Sequence, residues 1–271
     1  MVSTSSTFIF LRNQLRRILA TFNLAITSAE NYQSLINAGQ FAGSFKRDLD
    51  LILEYPEQLV KQAVSVLPFS KSQLRQDIFV LLQSNFKRGG FFVEFGATNG
   101  VDLSNTYLLE KNFEWEGIVA EPARSYRPYL VQNRNCHISF DALWSFSGKV
   151  LPFLELQDGV YSRLKDEIDH NDSVLSSLTY EVKTTSLIDL LSRFNAPNHI
   201  DYLSIDTEGS ELQILSTFDF EKYSFGCITI EHNYSPNRDQ IFNLLTEAGY
   251  LRVSTRFSEF DDWYIKSGPK S

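Results

Sequence analysis

The chain has 271 residues, 43% of them apolar, with 25 basic against 33 acidic side chains and a net charge of −8. Such a length and apolar content exclude a disordered chain and suit one α/β domain with an extension. The acidic balance lacks the basic stripe of a nucleic-acid binder, so no nucleic acid is expected as a partner. Cys136 and Cys227 offer neither a disulfide framework nor zinc-ligand spacing, and buried thiols in a reducing, cytoplasmic setting are expected.

Residues 1–70 read as a helical extension. Phe8, Leu11, Leu15, Ile18, Leu19 and Phe22 recur at helical spacing, and Arg12, Arg16 and Arg17 cut the apolar run far short of the ~20 residues a spanning helix needs. No transmembrane segment is expected. The apolar face should pack on the chain's own domain or on a second copy, giving a homo-oligomer through the N-terminal helices. Residues 71–271 then read as one domain. Strands are expected at 91–95, 117–121, 136–140, 201–205, 226–231, 249–254 and 261–266, with helices at 103–112, 123–133, 185–194, 209–217 and 236–248 between them. Ser186 with Asp189 three residues on is a capping-box signal. Residues 150–182 break the alternation with a polar stretch and read as a hairpin-like flap over the acceptor site.

Chemistry concentrates at the strand ends. Phe91-Phe92-Val93-Glu94-Phe95 runs into Gly96-Ala97-Thr98-Asn99-Gly100. Glycines there permit a tight turn and close backbone approach to a ligand. A dinucleotide fingerprint would have glycine where Thr98 stands, and Glu94 would repel a pyrophosphate. The same carboxylate suits an ammonium group. The next strand ends at Glu121, the position from which an acid grips ribose hydroxyls, and the third at Asp141, placed to accept from an adenine amino group.

The strand at 201–205 ends in Asp206, Glu208 and Glu211 around Gly209, and the one at 226–231 ends in Glu231, His232 and Asn233. Crowded like charges require a proton, hydrogen bonds or a cation. Asp206, Glu208, Glu231 and His232 are therefore the candidate catalytic residues. Either one of them removes a hydroxyl proton directly, or Asp206, Glu231 and Asn233 hold a divalent cation, magnesium before zinc, that acidifies the hydroxyl.

Taken together, 92–100, Ala120-Glu121-Pro122, Thr185-Ser186-Leu187-Ile188-Asp189, Ile205-Asp206-Thr207-Glu208-Gly209-Ser210-Glu211 and Ile230-Glu231-His232-Asn233 resemble the FkbM methyltransferase family, and Ser72-Gln73-Leu74-Arg75-Gln76-Asp77 resembles its lead-in helix. The resemblance covers residues 71–266. It implies a class I methyltransferase, Rossmann-like α/β fold: a seven-stranded, mostly parallel sheet with helices on both faces and the last strand antiparallel. It also implies S-adenosylmethionine as cofactor, held by Glu94, Gly96 and Glu121, to which the strand-end pattern adds Gly100 and Asp141, and O-methylation of a saccharide or glycan hydroxyl with Asp206, Glu208 and Glu231 near the acceptor. The alternatives are an NAD-dependent oxidoreductase on a similar sheet, which Glu94 disfavours, and a non-catalytic glycan- or protein-binding module.

Overall fold

The computed structural model of the chain describes residues 46–156, 162–164 and 177–267. The expected helix at 8–25, the oligomer contact assigned to it and much of the polar stretch 157–176 lie outside those residues. The chain divides into compact units at 1–50 and 51–271, so the boundary falls twenty residues before the expected one at 70/71. Residues 51–70 join the second unit because they pack into it. Leu51 and Ile52 are buried, and Gln83 Nε2 donates to Tyr55 Oη at 2.8 Å. Of the first unit, residues 46–50 are described and are helical.

In the second unit, α1 (Glu57–Val66) and α2 (Gln76–Gln83) precede the sheet. The chain then runs β1 (Phe91–Phe95), α3 (Tyr107–Phe113), β2 (Glu116–Ala120), α4 (Arg127–Asn133), β3 (His137–Ser139), β4 (Ala142–Leu143), β5 (Val150–Leu156), β6 (Arg163–Leu164) and β7 (Ser177–Thr185). It ends with α5 (Leu187–Arg193), β8 (His199–Ile205), α6 (Glu211–Leu215), β9 (Ser224–Glu231), α7 (Arg238–Glu247), β10 (Tyr250–Val253) and β11 (Asp261–Lys266).

Seven strands form one sheet in the order β10-β11-β9-β8-β1-β2-β3. Its pairs from β9 to β3 are parallel, and β11 runs antiparallel to both β9 and β10. The sheet is thus mixed rather than clearly parallel, and the last strand opposes its neighbours as the resemblance implied. Near-continuous apolar runs put β1, β2 and β8 at its centre, where both faces are covered. Val93, Ile118, Leu203 and Ile228 pack with Leu190, Leu191 and Leu215 from the helices in one core. Since β2 flanks β1 on one side and β8 on the other, the carboxyl end of β1 is where ligands bind in such sheets.

A second sheet, β4-β7-β5-β6, was not among the expected strands. Its main pair, β5 and β7, is antiparallel in register from Val150↔Lys183 to Leu156↔Ser177, so the insertion is hairpin-like in its described arms. It shares a small apolar cluster, Phe153 and Val182 with Ala123 and Ala142, next to the main sheet. The Ser186 cap forms as expected, its hydroxyl accepting from the Asp189 N–H at 3.2 Å. The return bond of a capping box is absent: Ser186 N–H instead donates to Ser147 Oγ, whose hydroxyl turns to the Asp189 carboxylate.

Candidate active site

A cleft of about 280 Å³ opens at the carboxyl ends of β1, β2, β8 and β9, with Phe153 and Leu164 of the second sheet as its far wall. Gly96 makes the approach possible. Its φ is +78° and a Cβ there would stand 1.9 Å from the Asp206 carbonyl oxygen, so only glycine lets the β1 turn meet the β8 end. Gly100, also at positive φ (+83°), lies behind the cleft, where a Cβ would press on Arg134 and Leu130 at 2.8 Å. It shapes the turn and is not at hand for direct cofactor contact. Thr98, the departure from a glycine loop, adopts a glycine-like φ of +47°. Its N–H donates to Glu121 Oε2 at 3.0 Å and its hydroxyl to the Asp102 carbonyl at 3.1 Å, bonds that hold a β-branched residue in a strained conformation.

Glu121 lies at the end of β2 and lines the cleft. Each oxygen accepts one backbone N–H, Oε1 from Ala123 at 2.8 Å and Oε2 from Thr98 at 3.0 Å, which leaves each with acceptor capacity for a hydroxyl. Burial raises its pKa to about 7 against those two N–H groups, and Glu155 adds to the rise.

Glu94 also lines the cleft, but its carboxylate is committed elsewhere. Oε2 accepts from Ser104 Oγ (3.0 Å), Thr106 Oγ1 (2.6 Å) and Arg134 Nη1 (3.2 Å), and Oε1 from the Asn105 N–H (2.6 Å). Oε2 is thus filled by three donors, and Oε1 holds the loop 104–106 through one N–H. Asp141 departs from its expected role. It pairs with Arg193 Nη1 at 2.8 Å, and its neighbours Ala142 and Leu143 line the cleft instead.

At the ends of β8 and β9, Asp206, Glu208 and Glu231 bring carboxylate oxygens within 4.8 Å of one another. The Asp206 and Glu231 carboxyls are hydrogen-bonded. Burial, then the charge of Glu231, hold the Asp206 carboxyl protonated far above the usual carboxylate range. Burial and Glu208 raise Glu231 to about 7, against the hydrogen bond from Asp206. Glu211 is spent on the turn, accepting from Thr207 N–H, Thr207 Oγ1 and Gly209 N–H at 3.1, 2.8 and 3.0 Å. Asn233 lines the cleft with Nδ2 3.5 Å from Glu208, so Glu208 joins Asp206 and Glu231 with Asn233 beside them.

His232 is not in this cluster. Side chains alternate along a strand, and with Glu231 facing the cleft His232 turns to the other side. There it is buried, Nδ1 accepts from the Tyr234 N–H at 2.9 Å, and Nε2 lies 3.9 Å from Asp262. Burial lowers its pKa despite Asp262.

A model of the methyltransferase FkbM domain matches residues 94–252, more than half of the chain. The chain belongs to the FkbM methyltransferase family. Membership makes it a methyltransferase and implies the use of S-adenosylmethionine. Among solved structures it is similar to a methyltransferase FkbM from Methylobacillus flagellatus KT, at 12% identity and TM-score 0.40 over 84% of this chain and 60% of that one. It is also similar to precorrin-6y C5,15-methyltransferase from Geobacter metallireducens GS-15, at 10% identity and TM-score 0.37 over 70% of this chain and 85% of that one. No curated protein matches it by sequence. The FkbM motif residues Gly96, Glu121, Asp206 and Glu231 converge on one cleft, together with Asn105, Gln73 and Phe260, which the sequence reading did not single out. Asn105 sits in a polar triplet, Ser104-Asn105-Thr106, directly before α3; that placement at a helix start was the available signal.

Proposed function

We propose that the protein is an S-adenosylmethionine-dependent O-methyltransferase acting on a neutral hydroxyl, in first place that of a saccharide or glycan. The observation that carries this reading is the pairing, in one cleft, of a ribose-type acid with spare acceptor capacity and two adjacent carboxyls, Asp206 and Glu231, of which Glu231 is raised to about 7. The cofactor supplies an electrophilic methyl group on sulfur. Glu121 would accept from the two ribose hydroxyls, and the Gly96 turn would lie against the sugar–sulfur junction. Glu231 would take the acceptor's proton, with Asp206 donating a hydrogen bond that fixes its orientation. Amide and aromatic groups on the same wall, Asn233, Gln73 and Phe260, suit a polyhydroxylated ring. Free Cys136 and Cys227 suit a reducing compartment, which favours a cytoplasmic location. Among the described residues no helix is long and apolar enough to cross a membrane.

The convergence of Asp206, Glu208 and Glu231 also favours a second reading, a magnesium ion on those three oxygens that acidifies the hydroxyl. The raised Asp206 carboxyl beside Glu231 supports the metal-free route, because a retained proton already relieves the like charges.

Calorimetry with S-adenosylhomocysteine and with NAD tests the cofactor, and transfer of a labelled methyl group to a panel of neutral glycans tests the acceptor. Glu121→Ala is expected to weaken S-adenosylhomocysteine binding by about 1.5–3 kcal/mol, the worth of charge-assisted hydrogen bonds, and to weaken it more than Asp206→Ala does. Unchanged affinity in Glu121→Ala would remove the ribose assignment, and tight NAD binding would remove the reading altogether.

A further inference from the structure

The α-ammonium group of S-adenosylmethionine needs an acceptor, and Glu94 already serves the loop 104–106 and Arg134 with its two oxygens. The strand order says where that acceptor should lie. Ribose hydroxyls at Glu121 place the nucleoside over β2, the thioether crosses β1 at Gly96, and the amino-acid end then extends toward β8. Asn105 stands there. Its backbone N–H donates to Glu94 of β1 at 2.6 Å, and its Nδ2 donates to Ser204 Oγ of β8 at 2.9 Å. It lines the cleft and is only 7% exposed. Its Oδ1 is a buried acceptor with no hydrogen-bond partner among the described residues.

An orphaned amide oxygen is uncommon in folded proteins and needs a reason. The amide is orientated by a relay of hydroxyls. Thr229 Oγ1, 2.7 Å from Tyr202 Oη, donates to Ser204 Oγ at 3.5 Å, so Ser204 presents its oxygen to the Asn105 nitrogen and the amide oxygen is left without a partner beside the cleft. A neutral acceptor also suits this cleft better than a further acid. Glu121, Asp206, Glu208 and Glu231 already line it, and another carboxylate would add to the repulsion that raises their pKa values.

We propose that Asn105 Oδ1 accepts a hydrogen bond from the cofactor's α-ammonium group, while Glu94 acts only as a positioning residue that holds the Asn105 backbone. This rests on the cofactor reading above and deepens it. The consequence is a ligand-specific effect. Asn105 should matter for ligands that carry the ammonium group and be silent toward the same ligand without it.

Calorimetry of wild type, Asn105→Leu and Asn105→Asp, each with S-adenosylhomocysteine and with its deaminated analogue, tests this without any turnover. Wild type is expected to lose about 10- to 100-fold in affinity on deamination of the ligand, the worth of a charge-assisted hydrogen bond. Asn105→Leu should bind both ligands at the weaker level. Asn105→Asp, which keeps an acceptor but gives up the bond to Ser204, should still bind S-adenosylhomocysteine more tightly than the deaminated analogue, and it stands in if the leucine variant does not fold. Equal weakening of both ligands by Asn105→Leu, or weakening of neither, would overturn the assignment. So would an Asn105→Asp protein that binds the two ligands equally. Failure of wild type to bind S-adenosylhomocysteine removes the cofactor reading and this proposal together; binding by wild type with an indifferent Asn105 removes this proposal alone.

Discussion

Replacing Glu231 by glutamine is expected to lower turnover by about 10²–10⁴-fold, the usual worth of a positioned general base, while S-adenosylhomocysteine affinity stays near that of wild type. The expectation follows from where the proton can go. Burial and the Glu231 charge raise Asp206 well above the usual carboxylate range and favour its protonated form, whereas Glu231, raised to about 7, is near the ideal strength for a base at neutral pH. Loss of a proton from Glu231 creates the base, so wild-type turnover should rise with pH through about 7 and then level off. Asp206→Asn keeps a hydrogen-bond donor to Glu231 and should retain more activity than Asp206→Ala. His232→Asn should leave turnover close to wild type, because the imidazole faces Asp262 behind the cleft. EDTA should leave the rate unchanged. A rate lost in EDTA and restored by magnesium would replace the direct base with a cation on Asp206, Glu208 and Glu231, and a Glu231→Gln enzyme of normal rate would dismiss both routes.

What was legible in the chain was whatever is written in consecutive residues. The apolar runs ending in Gly96, Glu121, Asp206 and Glu231 located the strand ends, and the parallel order of β8, β1 and β2 brought those ends together. What was not legible depends on partners far apart in sequence. Asp141 looked free for a ligand until α5 supplied Arg193, fifty-two residues on. Glu94 looked free until Arg134, forty residues on, reached it from the end of α4. The strands β5 and β7 were missed because β5 is broken by Pro152, β7 is a mixed polar and apolar run, and their pairing makes a separate small sheet. His232 is a different case. Its adjacency to Glu231 suggested a shared site, yet period-two alternation already puts neighbouring strand residues on opposite faces.

The other large effect belongs to Arg134. Arg134→Met is expected to cost about 3–5 kcal/mol of folding stability, the loss seen when one partner of a buried ion pair is removed. Its side chain has no exposure at all. Nε pairs with Glu110 at 2.6 Å, Nη1 with Glu94 at 3.2 Å, and Nη2 donates to Thr106 Oγ1 at 2.8 Å, while the guanidinium lies 5.3 Å from the centre of the Phe92 ring. Without it, Glu94 and Glu110 are left as buried carboxylates. For Glu110, burial is the strongest influence and pushes the pKa up, and the Arg134 charge and hydrogen bond, with Lys111 and the Asn135 N–H, together bring it below the usual range, so the net lowering depends in part on the residue that would be removed. Methionine replaces the alkyl stem, so the loss measures charge and hydrogen bonds more than a cavity. The same change should loosen the loop 104–106 and with it Asn105, so cofactor binding should weaken although Arg134 does not itself line the cleft. Adding Glu94→Gln to Arg134→Met should return part of the lost stability, because one uncompensated charge is then gone, although the loop stays less well held. Urea unfolding of the two single variants and the double variant supplies the cycle. Additive losses, or an Arg134→Met protein within about 1 kcal/mol of wild type, would mean that the buried network contributes little and that Glu94 tolerates burial alone.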